Sequence, residues 1–161
     1  MLVPLFEAPG GELSVVLTRR HDDLRRHAGE ISFPGGRQDP EDADLRATAL
    51  REAHEEIGLD PAAVDLIGAL QPTPTIATGY AVYPFVALIA PGLRWRPSDA
   101  EVSAVLELPL RALRAGYARR RMLRRGIPFR TDTYVVGEDL VWGATARMLA
   151  DLFERLDHAG L

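Results

Sequence analysis

Three carboxylates lie close together near the end of one predicted helix, at Glu52, Glu55 and Glu56. Residues three and four apart on a helix are neighbours, so Glu52 and Glu56 share one edge and Glu55 lies just beside it. Like charges at this spacing repel each other by about 0.2–0.5 kcal/mol per pair unless a cation neutralises them. Mg²⁺ or Mn²⁺ prefers such oxygen ligands and often completes its coordination shell with substrate phosphates. The spacing therefore indicates metal-assisted phosphate chemistry.

The helix that must position these carboxylates is predicted from apolar residues at helical spacing. They give the helix one inward face and are Leu45, Ala49, Leu50, Ala53 and Ile57. Gly58 follows, where a glycine commonly ends a helix. Glutamate-rich helices are usually solvated surfaces, so two adjacent glutamates alone would not indicate a site. The assignment depends on the residues around them.

Those residues match a longer signature. Gly35-Gly36 precedes the helix, and Arg51-Glu52, Glu55-Glu56 and Gly58-Leu59 follow in order. Together they resemble the Nudix box, which runs Gly, five residues, Glu, seven residues, then Arg-Glu-apolar-any-Glu-Glu-any-Gly-apolar. The resemblance implies the Nudix fold of the α/β (α+β) class, a mixed β-sheet sandwiched between α-helices.

The loop between the glycines and the helix departs from that signature. It is one residue longer, and Ala43 stands at the position of the first Glu, so we expect Asp42 to take that place. A longer loop with Asp six residues after Gly36 resembles the coenzyme A pyrophosphatase branch of the superfamily. The resemblance also implies that Arg51 anchors this loop by pairing with Asp42 or Glu55.

A second motif lies directly upstream, over residues 17–36. It resembles the additional signature of coenzyme A pyrophosphatases, Leu-Thr-any-Arg, four residues, Arg, three residues, Gly, three residues, Phe-Pro-Gly-Gly. The resemblance implies substrate contacts from Arg20, Arg25, His27 and Phe33. Arginines suit the 3'-phosphate that coenzyme A carries besides its diphosphate. The alternatives are a solvated basic face for the arginines and a backbone cap for His27.

The resemblance further implies a reaction. Water would hydrolyse the diphosphate link of coenzyme A or acyl-CoA, giving 4'-phosphopantetheine and adenosine 3',5'-bisphosphate without a covalent intermediate. Glu52 and Glu56 would bind the main Mg²⁺ or Mn²⁺, Glu55 a second ion or a bound water, and the Gly36 carbonyl would contribute. Glu101 or one of the helix glutamates would accept the proton, and the sequence does not choose between them.

Two other functions stay open. One is a Nudix pyrophosphatase for ADP-ribose, NADH or nucleoside triphosphates, which is favoured if Arg20 and Arg25 do not face the cleft. The other is a Nudix module that binds a nucleotide without cleaving it. Three clustered carboxylates argue against the module, because binding alone does not need them.

Length and composition set broader limits. The chain has 161 residues, 47% hydrophobic and 26% charged, which predicts a single Nudix domain over 1–161. A net charge of −4 argues against a nucleic-acid or membrane partner held by bulk electrostatics. There is no Cys, and neither a leader peptide nor a membrane span is evident. We expect a cytoplasmic enzyme with a small-molecule substrate, and a homodimer is possible.

Strands and a closing helix are predicted around the two motifs. The final helix comes from apolar residues spaced three and four apart between Thr145 and Leu156. A short helical turn is expected from Pro109 to Leu113. The predicted strands are Leu2–Phe6, Leu13–Thr18, Val64–Leu70, Tyr80–Ala90, Ser103–Leu108, Thr133–Val136 and Leu140–Trp142.

Overall fold

A mixed β-sheet forms the frame of the molecule. The computed structural model of the chain describes residues 1–23, 29–75, 79–124 and 126–161. The strands are β1 (Leu2–Ala8), β2 (Glu12–Arg20), β3 (Ile31–Ser32), β4 (Asp65–Ala69), β5 (Thr73–Pro74), β6 (Ala81–Val82), β7 (Phe85–Leu88), β8 (Val102–Pro109), β9 (Tyr117–Arg124), β10 (Ile127–Val136) and β11 (Asp139–Trp142). The helices are α1 (Leu45–Ile57), α2 (Leu110–Ala115) and α3 (Gly143–Ala159), with a 3₁₀ turn at Pro61–Ala63.

The main sheet has the order β3-β2-β1-β7-β4, and β8, the sixth strand, also pairs with β2. Only β1 and β7 run parallel among these pairs within the described part of the chain; the other neighbours are antiparallel. Strands β9, β10 and β11 form a separate antiparallel sheet. The main sheet is therefore mixed, as predicted.

Helices cover both faces of this sheet. On one face α1 buries Ala49, Ala53 and Ile57 in a core cluster with Leu2 and Val16. On the other face α2 and α3 pack in a second cluster, which contains alternate residues of the same strands. Because neighbouring strand residues point to opposite faces, β2 serves both clusters. The predicted sandwich is confirmed.

The helix α1 begins and ends at the capping residues that fix its position. The Asp44 carboxylate accepts the N–H groups of Arg46 and Ala47, both at 2.8 Å. Gly58 has a φ of 71° and donates its N–H to the carbonyl of His54 at 2.9 Å. A positive φ costs glycine little, so the helix stops here and the chain can turn back.

One strand prediction is wrong. Residues 80–90 do not form a single strand, because β6 and β7 are separated around Pro84. Proline has no N–H and cannot donate to a neighbouring strand. Its carbonyl instead accepts the N–H of Leu70 at 2.9 Å. The other predicted strands, the turn after Pro109 and the closing helix are present with boundaries shifted by up to six residues, the largest shift being the start of β10 at Ile127 instead of Thr133.

A β-bulge lies where β2 approaches the helix carboxylates. The register between β2 and β8 shifts between Arg19 and Arg20. Arg19 forms an ion pair with Asp139 of β11, whereas Arg20 reaches Glu56 of α1. Consecutive strand residues point to opposite faces, so this difference follows from ordinary alternation along β2. The extra residue at the register shift is Ser103 of β8, which is skipped between the Arg19–Ala104 and Arg20–Val102 pairs. None of the helices in the described part of the chain has both the length and the apolar composition of a membrane-spanning segment.

Candidate active site

Glu56 is the most buried carboxylate of the site. Its residue is 6% exposed, and its Oε2 accepts the N–H of Gly35 at 3.0 Å. Burial raises the pKa of Glu56 to about 7; the Gly35 hydrogen bond opposes this rise, and the Glu52 charge adds to it. Glu56 is thus a buried acid whose negative charge is poorly compensated by the protein.

Glu52 lies one turn earlier on α1, against the backbone of Gly36. A Cβ added to Gly36 would lie 2.4 Å from Glu52 Oε1 and 2.5 Å from Oε2. Only glycine leaves this space to the carboxylate. Burial raises the pKa of Glu52, and the neighbouring Arg51 guanidinium opposes that shift. Each glycine of the pair therefore adjoins one glutamate. The Gly35 N–H donates to Glu56, and the absence of a side chain on Gly36 leaves room for the Glu52 carboxylate.

Arg51 fixes the loop before the helix. Its Nε donates to Asp42 Oδ1 at 2.9 Å and its Nη2 to Oδ2 at 3.0 Å, a bidentate pair. Nη2 also donates to the Arg37 carbonyl at 3.0 Å. The hydrogen bonds from Arg51 hold the pKa of Asp42 well below its usual range. The expected exchange of the first Glu for Asp42, and the anchoring role of Arg51, both agree with these contacts.

Glu55 occupies a more open position. Its side chain is 56% exposed and accepts a hydrogen bond from Arg51 Nη1 at 3.0 Å. A second metal ion or a bound water at Glu55 would have to compete with this pair. The role assigned to Glu55 stays a prediction.

Glu101 reaches the same site from the loop before β8. Its Oε2 lies 3.3 Å from Arg20 Nη2, and Arg20 Nη1 lies 3.9 Å from Glu56 Oε1. The charge of Glu101 contributes to the raised pKa values of Glu52 and Glu56. A glutamate that is distant in the sequence is thus close enough to act on the two helix carboxylates electrostatically.

Main-chain hydrogen bonds hold this loop against the end of α1. Arg96 donates its N–H to the Ile57 carbonyl, and Ser98 donates to the Glu56 carbonyl, both at 2.9 Å. Glu101 in turn donates its N–H to the Ser98 carbonyl at 3.1 Å. The backbone near Glu101 is therefore positioned by the helix that carries the other carboxylates.

The donor set suits a hard divalent cation. The buried carboxylate of Glu56 and the partly buried carboxylate of Glu52 lie beside the Gly35-Gly36 backbone, and both have raised pKa values. Within the described ranges, no three His, Asp or Glu side chains are already arranged around one metal position. Mg²⁺ commonly takes only one or two protein carboxylates and completes its shell with water and phosphate. Glu52 and Glu56, with the Gly36 carbonyl as the predicted third donor, fit that pattern.

The predicted substrate contacts have different outcomes. Arg20 lies at the carboxylates, as described above. Phe33 is fully buried in the core cluster shared with α2 and α3, so its predicted contact with substrate is wrong and its role is packing. Arg25 and His27 lie outside the described residues. The Gly35 N–H was not predicted as a partner of Glu56; the glycine pair before the helix was the signal in the sequence that could have indicated it.

Comparison with known proteins places this geometry in a family. The family model described as the NUDIX domain matches residues 1–126. The chain belongs to the Nudix hydrolase family. Proteins named "Uncharacterized Nudix hydrolase NudL", from Salmonella paratyphi B and Salmonella newport, are each 44% identical over 154 residues, covering 94% of this chain and 79% of the relative.

Solved structures agree on the Nudix fold. The NUDIX domain of Shewanella oneidensis NrtR, complexed with ADP ribose, has a TM-score of 0.63 at 18% identity, covering 96% of this chain and 86% of that one. The Nudix hydrolase RenU of M. smegmatis has a TM-score of 0.60 at 20% identity, covering 71% of each chain. The family model and the 44% identical relatives identify the protein as a Nudix hydrolase, which acts on pyrophosphate bonds of nucleotide-like substrates. Nudix hydrolases generally use divalent metal ions.

The raised pKa of Glu56 predicts how the stability of this Nudix hydrolase depends on pH. The folded pKa of about 7 lies above the ordinary 4.5, so the folded state binds this proton more tightly than the unfolded state. The resulting stabilisation is complete below the ordinary value and is lost as pH rises through the folded pKa. Without metal, we expect the unfolding temperature to fall between about pH 5 and pH 8.

Thermal unfolding in the presence of a chelator tests this expectation. Glu56→Gln cannot titrate, so its unfolding temperature should fall less than that of the wild type over the same pH range. A smaller dependence should remain, because the pKa of Glu52 is also raised. Identical pH dependence in both proteins would show that Glu56 is not the titrating group.

Proposed function

We propose that this Nudix hydrolase cleaves the diphosphate link of coenzyme A or acyl-CoA, releasing 4'-phosphopantetheine and adenosine 3',5'-bisphosphate. The observation that supports the proposal most is where the second motif lies. Arg20, near its start, and Gly35, at its end, both approach Glu56. The segment that resembles the coenzyme A signature thus adjoins the carboxylates of the Nudix box.

Substrate recognition must include the 3'-phosphate if coenzyme A is preferred over related nucleotides. The resemblance provides two arginines for this role. Arg20 is already close to two carboxylates, Glu56 and Glu101, which compete with a phosphate for its guanidinium. Arg25 is the other arginine that the resemblance assigns to the 3'-phosphate, so it is the first residue to replace.

The chemistry is a hydrolysis in which each product keeps one phosphate of the diphosphate. A cation held by Glu52 and Glu56 would neutralise diphosphate oxygens and increase the acidity of the attacking water. Water adds to one phosphorus, and the bond from that phosphorus to the bridging oxygen breaks. Glu101 accepts the proton of the water, since it is half-exposed and lies near both helix carboxylates. Arg51 keeps the loop before the helix in place through Asp42.

Comparing substrates tests the proposal. Steady-state kcat/KM should be measured for coenzyme A, dephospho-coenzyme A, ADP-ribose and NADH, each with Mg²⁺ and with Mn²⁺. We expect coenzyme A to be preferred over its dephospho form by about 10-fold or more, because one phosphate contact to arginine contributes roughly 1.5–3 kcal/mol. Arg25→Gln should reduce this preference. Equal or faster cleavage of the other three compounds would overturn the coenzyme A assignment and leave a Nudix pyrophosphatase of different specificity.

A further inference from the structure

Arg20 lies between two carboxylates that come from different parts of the chain. Its Nη2 lies 3.3 Å from Glu101 Oε2, and its Nη1 lies 3.9 Å from Glu56 Oε1. The side chain of Arg20 is 26% exposed, and its Nε is buried without a hydrogen-bond partner. This guanidinium is therefore oriented by its two Nη groups, each toward one carboxylate.

The backbone fixes both members of the Arg20–Glu101 pair. Arg20 faces α1 because alternate residues of β2 point to that side of the sheet, as Val16 does. The hydroxyl of Ser103 lies 3.1 Å from the carbonyl oxygen of Arg19 and 3.3 Å from that of Arg20, so its single proton is shared between the two acceptors. One residue on, His21 donates its N–H to the Glu101 carbonyl at 3.1 Å. The end of β2 and the loop before β8 are thus joined on both sides of the ion pair.

The Arg20–Glu101 ion pair opposes the repulsion between Glu101 and the carboxylates of the helix. Ionised carboxylates at Glu52, Glu56 and Glu101 repel one another, and the Glu101 charge adds to the raised pKa values of Glu52 and Glu56, which burial mainly causes. The Glu101 side chain is 51% exposed, so repulsion would turn it toward water if nothing held it. A planar guanidinium can contact two carboxylates at once, which a lysine ammonium does less well.

We propose that Arg20 is a positioning residue that holds the Glu101 carboxylate beside Glu56, where Glu101 can take the proton of the attacking water. The inference rests on the proposed function only in giving Glu101 that role. It assigns Arg20 to the arrangement of the carboxylates and leaves recognition of the 3'-phosphate to other residues. Arg20 then acts through Glu101. Removing the Arg20 guanidinium should therefore not lower kcat further once Glu101 can no longer accept a proton.

A double-mutant cycle on Arg20→Gln and Glu101→Gln tests this dependence. We expect Glu101→Gln to lower kcat by about 10²-fold, as for loss of a general base. Arg20→Gln should lower kcat by about 10-fold and change KM by less than about 3-fold, because ground-state binding is retained. In the Glu101→Gln background, Arg20→Gln should change kcat by less than about 2-fold. Arg20→Lys should recover part of the lost kcat, since it restores the charge but not the planar shape.

The neighbouring arginine provides a matched control. Arg19→Gln removes the same charge from the adjacent residue of β2, whose side chain pairs with Asp139 instead. This variant should keep kcat and KM within about 2-fold of wild type. Independent effects of Arg20→Gln and Glu101→Gln, together with a raised KM for coenzyme A but not for its dephospho form, would overturn the proposal and make Arg20 a ligand of the 3'-phosphate.

Mn²⁺ binding, measured by electron paramagnetic resonance without substrate, gives a readout that does not depend on turnover. Removing a positive charge close to Glu56 should tighten Mn²⁺ binding in Arg20→Gln by about 3- to 10-fold, and Arg19→Gln should leave it unchanged. Unchanged affinity in Arg20→Gln would place Arg20 away from the carboxylates and overturn the proposal. Weaker binding would make Glu101 a metal ligand and overturn its role as a base.

Failure of the coenzyme A assignment is distinguishable from failure of this inference. If the wild type cleaves a different nucleotide diphosphate, the coenzyme A proposal fails, and the cycle is measured with that substrate instead. The predicted non-additivity and the Mn²⁺ shift concern Arg20, Glu56 and Glu101 alone and are the same for any diphosphate.

Discussion

Replacing Glu56 by Gln is expected to lower kcat for diphosphate hydrolysis by about 10³-fold or more, while the protein stays folded. Glu56 is the most buried carboxylate of the site, and the carbonyl oxygen of a glutamine can still accept the Gly35 N–H that Glu56 accepts at 3.0 Å. The shape and the hydrogen bond are therefore retained, and only the charge that attracts a cation is lost. The loss of rate should accompany a loss of Mn²⁺ affinity.

The measurement is single-turnover hydrolysis together with Mn²⁺ titration for wild type and Glu56→Gln. Glu154→Gln is the matched control, because Glu154 is exposed on α3 and belongs to a different layer. It should behave as wild type in both assays. If Glu56→Gln keeps more than about a tenth of the wild-type kcat, Glu56 is not a principal metal ligand.

Gly36→Ala is expected to lower kcat by about 10²-fold with little change in the free energy of unfolding. The added Cβ would lie 2.4 to 2.5 Å from the Glu52 carboxylate, so this carboxylate must move. It is the far end of a flexible side chain and can move at small cost to stability. Catalysis responds more strongly, since a displacement of about 1 Å at a catalytic group can cost 10²-fold.

The control for this prediction is Gly68→Ala. Gly68 belongs to β4, and a Cβ there would meet nothing within 4 Å. Neither glycine has a positive φ, so the two substitutions differ in the space that the new methyl group meets. Chemical denaturation and kcat should be measured for both variants. A kcat equal to that of Gly68→Ala would contradict the close approach of Glu52 to the loop. A large loss of stability in Gly36→Ala would contradict the expectation that the Glu52 side chain moves aside at small cost.

Local patterns were sufficient for the helix and the two glutamates it carries. The apolar spacing of α1 and the glycine after it predict both its buried face and its end at Gly58, since each depends on residues within a few turns. The Asp42–Arg51 contact could also be anticipated, because the motif restricts which acid can meet Arg51. Pro84 was an available signal that residues 80–90 would not form one strand.

Contacts between distant segments could not be derived in this way. The approach of Glu101 to Arg20 depends on the register of β2 against β8, including a bulge that periodicity does not reveal. Phe33 belongs to a motif associated with substrate, but it is buried in a core cluster whose other members come from α2, α3 and strands of both sheets. A signature identifies residues that matter without stating whether they bind a ligand or fill the core.

The central claim is that the carboxylates of Glu52 and Glu56 support hydrolysis of the coenzyme A diphosphate by water. The most direct test is mass spectrometry of the products formed from coenzyme A and Mn²⁺ in ¹⁸O-labelled water, with Glu56→Gln measured in parallel. We predict 4'-phosphopantetheine and adenosine 3',5'-bisphosphate in equal amounts, one ¹⁸O atom in only one of them, and about 10³-fold less of both products from the variant in the same time. Intact coenzyme A, release of inorganic phosphate, or equal turnover by Glu56→Gln would contradict it.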